Sequence, residues 1–285
     1  MITATQLVSF AMTLATADFA FLRTLVADHS GQRLAPRHVG MLEQRLAPIA
    51  GTAGLKDVSS LVRQLRRGDD SALSSQVVEA VAVNETSFFR DASVFESLAK
   101  GVLPQIVANN RNRKQLRIWC AACSSGQEPY SIAMLLADHF GHLHDWDIRI
   151  TASDLCEKMI QRAQLGTFSS LEIARGLPTA QLLRHFDRRG AAWQAKPELR
   201  ERIEFHRINL ARPWPYLGQF DIVLARNVLL YFDQPTKQNI LKRLRGAMRP
   251  DGYLVIGAAE TLIGLCVPYQ RKEIDDLVYY RPAAI

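Results

Sequence analysis

Leu116-Arg117-Ile118-Trp119-Cys120-Ala121-Ala122-Cys123-Ser124-Ser125-Gly126-Gln127-Glu128-Pro129 is the stretch on which the fold turns. Leu116 to Cys120 is a strand-like run, Ala121 to Gly126 is small, and Pro129 suits the first turn of a helix. Pro129 to Phe140, with Ile132, Leu135 and Leu136 inward, reads as that helix. A second strand, Asp147 to Ala152, follows. Further on come the strand Phe220 to Ala225, a helix from Pro235 to Met248, a turn at Pro250-Asp251-Gly252 and the strand Tyr253 to Gly257. Strands alternating with helices of this length predict a parallel, helix-covered sheet.

The flanking segments follow other patterns. Residues 1 to about 80 read as packed helices: Val39, Leu42, Leu46 and Ile49 share one face, and Leu61, Val62 and Leu65 begin another stripe. Asp18 reads as the N-cap of the first helix, and Arg33, Arg37 and Arg45 as neighbours on one helical segment. Between Gly166 and Arg207 the chain is basic and polar, with short β-like pieces at Thr167-Phe168, Ala192-Trp193 and Ile203-Glu204-Phe205, which predicts a small inserted subdomain. Val267 to Arg281 reads as a closing antiparallel hairpin because Leu277-Val278-Tyr279-Tyr280 favours strand. The expected domains are 1–82, helical, and 83–285, an α/β unit with an insertion at about 166–207.

Composition bounds the function. With 285 residues, 48% hydrophobic and 22% charged, the chain is neither disordered nor a collagen-like repeat. No run of about 18 uncharged apolar residues suits a spanning helix. Ala15-Thr16-Ala17 looks like a signal-peptidase site, but no basic residue precedes Arg23, so no cleaved signal is expected. Cys120, Cys123, Cys156 and Cys266 are too sparse for a disulfide framework; thiols in the cytoplasm are expected. The net charge of +7 is concentrated locally: Lys100, Arg111, Arg113, Lys114 and Arg117 lie in an acid-free segment, and 161–212 holds ten basic residues against five acidic. Nucleic acid and an acidic protein surface are both candidate partners for such patches.

The chemistry gathers at the strand ends. The loop Ala121 to Glu128 lets a ligand approach the backbone, as in open α/β sheets, but its single Gly126 lacks the dinucleotide fingerprint and no P-loop lysine is present. Cys120-Ala121-Ala122-Cys123 spells C-x-x-C without a second Cys/His pair, so no metal is expected. Asp154, after the second strand, can accept both hydroxyls of a ribose; alone, it reads equally well as the cap of a helix from Glu157. A single-glycine loop followed by such an acid is the pattern of S-adenosylmethionine-binding folds. Asn84-Glu85-Thr86-Ser87-Phe88-Phe89-Arg90 is dense in polar, aromatic and basic groups, and otherwise reads as a capping turn plus two core phenylalanines. In Ala225 to Asp233, Asp233 can cap the next helix, whereas Arg226, Asn227 and Tyr231 have no such use.

Together Asn84 to Arg90, Trp119 to Ser131, Asp154, Asn209-Leu210, Ala225 to Asp233 and Gly257 to Gly264 resemble the chemotaxis receptor methyltransferases, the CheR family. The resemblance runs from about residue 15 to 281. It implies an S-adenosylmethionine-dependent methyltransferase with a Rossmann-like sheet, a small inserted antiparallel β-subdomain and an all-α N-terminal domain that docks receptors. It implies methyl transfer to receptor glutamates, with S-adenosylhomocysteine as the other product. It places cofactor contacts on Asn84, Thr86, Arg90, Glu128, Asp154, Asn209, Leu210, Arg226 and Asn227. Ser125 and Gln127 depart from the family's common Thr and Glu, and the loop from His185 to Ile203 looks shorter than in members that bind a receptor's C-terminal pentapeptide. No such tether is expected.

A glutamate side chain is already anionic at neutral pH, since its ordinary pKa is about 4.3, so its transfer needs alignment rather than a general base. Arg90 and Tyr231 are the candidates for orienting it. The expected partners are the signalling helices of methyl-accepting chemoreceptors, with no nucleic acid, no membrane insertion and a monomeric enzyme. The competing readings are a nucleic-acid methyltransferase, which the basic segments suit but which lacks an Asn/Asp-Pro-Pro-Tyr/Phe motif at Arg226-Asn227-Val228-Leu229, and a non-catalytic S-adenosylmethionine-binding regulator.

Overall fold

The structure is a computed structural model and describes residues 14–283. Contacts divide the chain into two compact units, Met1–Ala82 and Val83–Ile285.

The first unit contains α1 (Thr16–Ser30), α2 (Val39–Thr52), α3 (Val58–Leu65) and α4 (Ser71–Val81). Leu22, Val26, Leu42, Leu46, Leu61, Val62 and Val77 are fully buried and form its core. Each such aliphatic side chain contributes about 1.5–3 kcal/mol by leaving water. Asp57 and Asp70 start α3 and α4 by accepting the N–H groups of Ser60 and Leu73 at 2.7 and 2.8 Å. Two expectations fail here. Ala15 is the N-cap of α1, and Asp18 lies inside its first turn. Arg33 and Arg37 do not share a helix with Arg45: Arg33 precedes the 3-10 turn Pro36–His38, while Arg45, on α2, donates to the carbonyls of Ala80 and Ala82 at the end of α4. A long cation satisfying terminal carbonyls is a helix-end role, one that residue spacing along a single helix does not reveal.

The second unit begins with α5 (Ala92–Ser97), a π-helical turn (Leu98–Val102) and α6 (Leu103–Asn109). Then come β1 (Gln115–Ala121), α7 (Gln127–His139), β2 (Asp147–Asp154), α8 (Glu157–Leu165), β3 (Thr167–Ser169), α9 (Ser170–Ala174) and α10 (Thr179–His185). After these follow β4 (Phe186–Arg189), β5 (Ala192–Ala195), α11 (Pro197–Arg200) and β6 (Ile203–Arg207). The chain closes with β7 (Phe220–Ala225), α12 (Gln234–Gly246), β8 (Met248–Ile256), β9 (Tyr269–Ile274) and β10 (Leu277–Pro282). The main sheet has seven strands in the order β6-β2-β1-β7-β8-β10-β9. Its first five are mutually parallel, and β10 runs antiparallel to both neighbours. Strand order reverses between β1 and β7, so a crevice opens outside the carboxyl ends of these strands, where ligands bind in such sheets. Helices cover the sheet, and its central strand β7 (Phe220–Ala225) is buried at every position, with Asp221 its one charged residue.

The small sheet, β3-β5-β4, is antiparallel and inserted between β2 and β6. It differs from the expectation in one strand. Ile203–Arg207 does not belong to it but pairs in parallel with β2, Ile150 opposite Ile203, as the edge of the main sheet. Its third strand is β4, joined to β5 by the two-residue Gly190-Ala191 link, with Gly190 at φ 62°. Pro250-Asp251-Gly252 is no separate turn either; it forms an irregularity within β8, where the register to β7 shifts between Phe220 opposite Met248 and Ile222 opposite Tyr253. The closing hairpin is present as β9 and β10.

Candidate active site

Register brings the site together. β1 and β2 pair as far as Ala121 opposite Ser153, and β7 and β8 as far as Ala225 opposite Ile256. The next residues, Ala122 to Gly126, Arg226-Asn227 and Gly257, therefore leave the sheet at the end where Asp154, the last residue of β2, still pairs with Arg207 of β6.

Asp154 is 7% exposed. Its Oδ2 accepts from Ser124 N–H at 2.8 Å and its Oδ1 from Cys156 N–H at 2.9 Å, so both oxygens are fixed by backbone on either side of the crevice. The N-cap of α8 is Cys156, so capping is not the carboxylate's use. Ser124 adds a second tie: its hydroxyl donates to the carbonyl of Asn84 at 2.8 Å. Ile208 N–H donates to the carbonyl of Asp154, which sets Asn209 and Leu210 just beyond it. Asn209 Oδ1 accepts from Ala211 N–H, and the Leu210 carbonyl from Arg243.

Arg226 is the centre of the second cluster. Its side chain is 2% exposed and donates to Glu128 Oε2 and Asp91 Oδ2, both at 2.8 Å, and to the carbonyl of Arg90 at 2.6 Å. Three segments are thereby tied to one guanidinium: the loop after β7, the first turn of α7 and the 84–91 segment. Burial pushes the Glu128 carboxyl up; the Arg226 charge and hydrogen bond and the Arg90 charge oppose this, and the Glu260 charge adds to it. The charges of Arg226, Arg90 and Glu260 thus all bear on the Glu128 carboxyl, Arg226 by direct contact. Arg90 itself donates to the carbonyl of Glu85.

The 84–91 segment is held by packing as well as by polar bonds. Phe88 is buried with edge-on contacts to Phe168 at 4.9 Å and Phe186 at 5.7 Å, both from the small sheet. Phe89 N–H donates to Ser131 Oγ at 3.0 Å. A Cβ on Gly176, at φ 95°, would strike the Phe88 carbonyl, so this position requires glycine. Capping does not explain Asn84 or Thr86, because α5 starts after Asp91 without a side-chain cap. Tyr231 ends the 3-10 turn Leu229–Tyr231, and Asp233 caps α12 through Thr236 N–H as expected.

Five non-glycine residues here, Phe89, Asp91, Ala122, Ser124 and Asn227, have positive φ. Such conformations cost energy and persist where surrounding contacts over-determine them, typically at functional sites. The two cysteines of the C-x-x-C are buried, and burial pushes both thiols well above their ordinary range, so they are inert core groups. Among the described residues no cluster of His, Cys, Asp and Glu could hold a metal, and no helix is long and apolar enough to cross a membrane. Three contributors were not among the expected site residues, although Ser124 lies in the loop after β1 and Glu260 in the Gly257–Gly264 stretch: Ser124 and Asp91, which act through bonds to other segments, and Glu260, which accepts from backbone N–H groups.

A reversed strand beside the sheet edge, a close-approach loop after β1 and a braced acid at the end of β2 suit an S-adenosylmethionine-dependent methyltransferase, and the chain's similarities show that it is one. Residues 84–274 match the family model described as CheR methyltransferase, SAM binding domain. The chain is 38% identical over 93% of its length to chemotaxis protein methyltransferase Cher2 of Pseudomonas putida, covering 97% of that protein. It is also 38% identical over 95% of its length to chemotaxis protein methyltransferase 1 of Pseudomonas aeruginosa, covering 99% of it, and 33% identical over 85% to the enzyme of Vibrio anguillarum, covering 88%. The chain belongs to the CheR methyltransferase family.

Proposed function

We propose that this methyltransferase converts side-chain carboxylates of chemoreceptor glutamates to methyl esters, releasing S-adenosylhomocysteine. The observation that carries the reading is the pairing of two differently prepared carboxylates at the sheet's carboxyl end. Asp154, held by two backbone N–H groups, suits ribose hydroxyls. Glu128 presents one oxygen to Arg226 and keeps Oε1 for the α-ammonium of the amino-acid part. Arg226 Nε, buried with no hydrogen-bond partner among the described residues, is an orphan donor of the kind a ligand satisfies. Asn84, Thr86, Asn209, Leu210 and Asn227 line the remainder. The relatives' printed names, all chemotaxis protein methyltransferases, support a receptor as acceptor.

S-adenosylmethionine, when bound, supplies an electrophilic methyl on a sulfonium. The chain's own task is alignment. Arg90 and Tyr231 orient the glutamate oxygen, and the buried walls exclude water, which favours the merging of an anion and a cation. Fixing two reactants in a near-attack arrangement contributes about 7–11 kcal/mol. Arg90 must position more than it binds, because a tight pair with the ground-state carboxylate would not lower the barrier. Methyl transfer to receptor-containing membranes, base-labile and absent with RNA or with no acceptor, is the expected result; labelling of RNA instead would overturn the reading.

The small sheet bears on tethering. A peptide adding itself as a strand needs an open edge and adjoining pockets. β5 is the central strand, so the sheet's edges are β3 and β4, only three and four residues long, and β4 ends at the two-residue link to β5. We expect no binding of peptides ending in Trp-Glu-aromatic sequences, measured by calorimetry beside S-adenosylhomocysteine as positive control. Micromolar affinity, about −8 kcal/mol, would refute this.

A further inference from the structure

Glu260 lies in the loop after β8, within the Gly257–Gly264 stretch but with no role assigned to it above, and its carboxylate accepts three backbone N–H groups. Oε2 accepts from Asn227 N–H at 2.8 Å and from Gly257 N–H at 2.7 Å, and Oε1 accepts from Leu230 N–H at 3.1 Å. Two of these donors belong to the loop after β7 and one to the loop after β8. The first loop turns at Asn227, whose φ of 56° is left-handed. Asparagine tolerates that conformation but does not enforce it. Gly257 is cut to fit the same brace: a Cβ there would lie 2.5 Å from Asn227 Nδ2, 2.9 Å from Asn227 N and 2.9 Å from Glu260 Oε2.

We infer that Glu260 is a positioning residue, whose carboxylate fixes the loop carrying Arg226, Asn227 and Tyr231 in its working conformation. The inference rests on the proposed roles of Asn227 toward the cofactor and Tyr231 toward the glutamate. Chemistry explains why a carboxylate stands here. Three converging N–H donors need a group that only accepts. Glutamine can place its carbonyl where Oε2 lies and keep two bonds, but its amide then confronts Leu230 N–H in the middle of the turn that ends in Tyr231. Alanine loses all three bonds.

The test compares the full-length wild type, Glu260→Gln and Glu260→Ala by thermal melting, S-adenosylhomocysteine calorimetry, methyl transfer to receptor membranes and amide hydrogen exchange at Asn227 and Leu230. Glu260→Gln should melt as the wild type does and bind S-adenosylhomocysteine within about threefold, yet lose about 100-fold in kcat, the size of effect that an ångström of misplacement produces. Leu230 N–H should lose protection while Asn227 N–H keeps it. Glu260→Ala should deprotect both and lose cofactor affinity as well. Wild-type kcat in Glu260→Gln, or unchanged exchange in Glu260→Ala, would overturn the inference. A wild-type enzyme that methylates no receptor would instead refute the proposed function, and the exchange measurement would still decide the role of Glu260.

Discussion

Arg226→Ala is expected to destabilise the methyltransferase unit by about 3–5 kcal/mol, the cost of removing one partner from a buried ion cluster. Its guanidinium serves Glu128, Asp91 and the carbonyl of Arg90, with 2% of the side chain exposed. Removing it strands the Glu128 carboxylate, whose pKa burial already raises and Arg226 opposes. With the opposition gone, the folded-state pKa rises further above the unfolded value. A raised carboxyl pKa means that the folded state binds the proton more readily, so stability is greatest at low pH and falls as pH rises through the folded-state pKa. The deficit of the variant, read from urea unfolding, should therefore be larger at pH 8 than at pH 5. Adding Glu128→Gln should recover part of the loss. An Arg226→Ala midpoint equal to that of the wild type would show that the cluster contributes nothing net.

The same cluster explains what could and could not be read from the sequence. β1, α7, β2, β7 and the β9-β10 hairpin are legible because each carries its own period or propensity. Membership of a sheet is not local: Ile203-Glu204-Phe205 favours strand in either sheet, and only its register against Ile150 decides which. The Pro250-Asp251-Gly252 turn signal is real, but flanking strand residues absorb it as an irregularity in β8. Arg226 and Asp154 are visible because they are charged residues where apolar strands end. Glu260 is not, because its partners are backbone N–H groups, and any residue can supply those. Arg45 misleads for a related reason, since the carbonyls it serves at Ala80 and Ala82 lie 35 and 37 residues away.

Asp154→Ala is expected to weaken S-adenosylhomocysteine binding by at least about 1.5–3 kcal/mol, the contribution of hydrogen bonds to a charged acceptor, or roughly 10- to 150-fold in Kd. The loss has two sources: the proposed ribose acceptor disappears, and Ser124 and Cys156 lose the group that holds their N–H donors 2.8 and 2.9 Å from it. Ser124 also reaches Asn84, so the first loop and the 84–91 segment loosen together. Asparagine separates the two sources poorly, because its amide nitrogen must face one of those N–H groups and the brace fails along with the acceptor. Asp154→Asn should consequently bind nearly as weakly as Asp154→Ala. Glutamate keeps two acceptor oxygens on a stem one methylene longer, so Asp154→Glu should recover part of the affinity if the charge matters most, and none if the brace does. Wild-type affinity in Asp154→Ala would place the ribose elsewhere and leave this carboxylate as a loop brace alone.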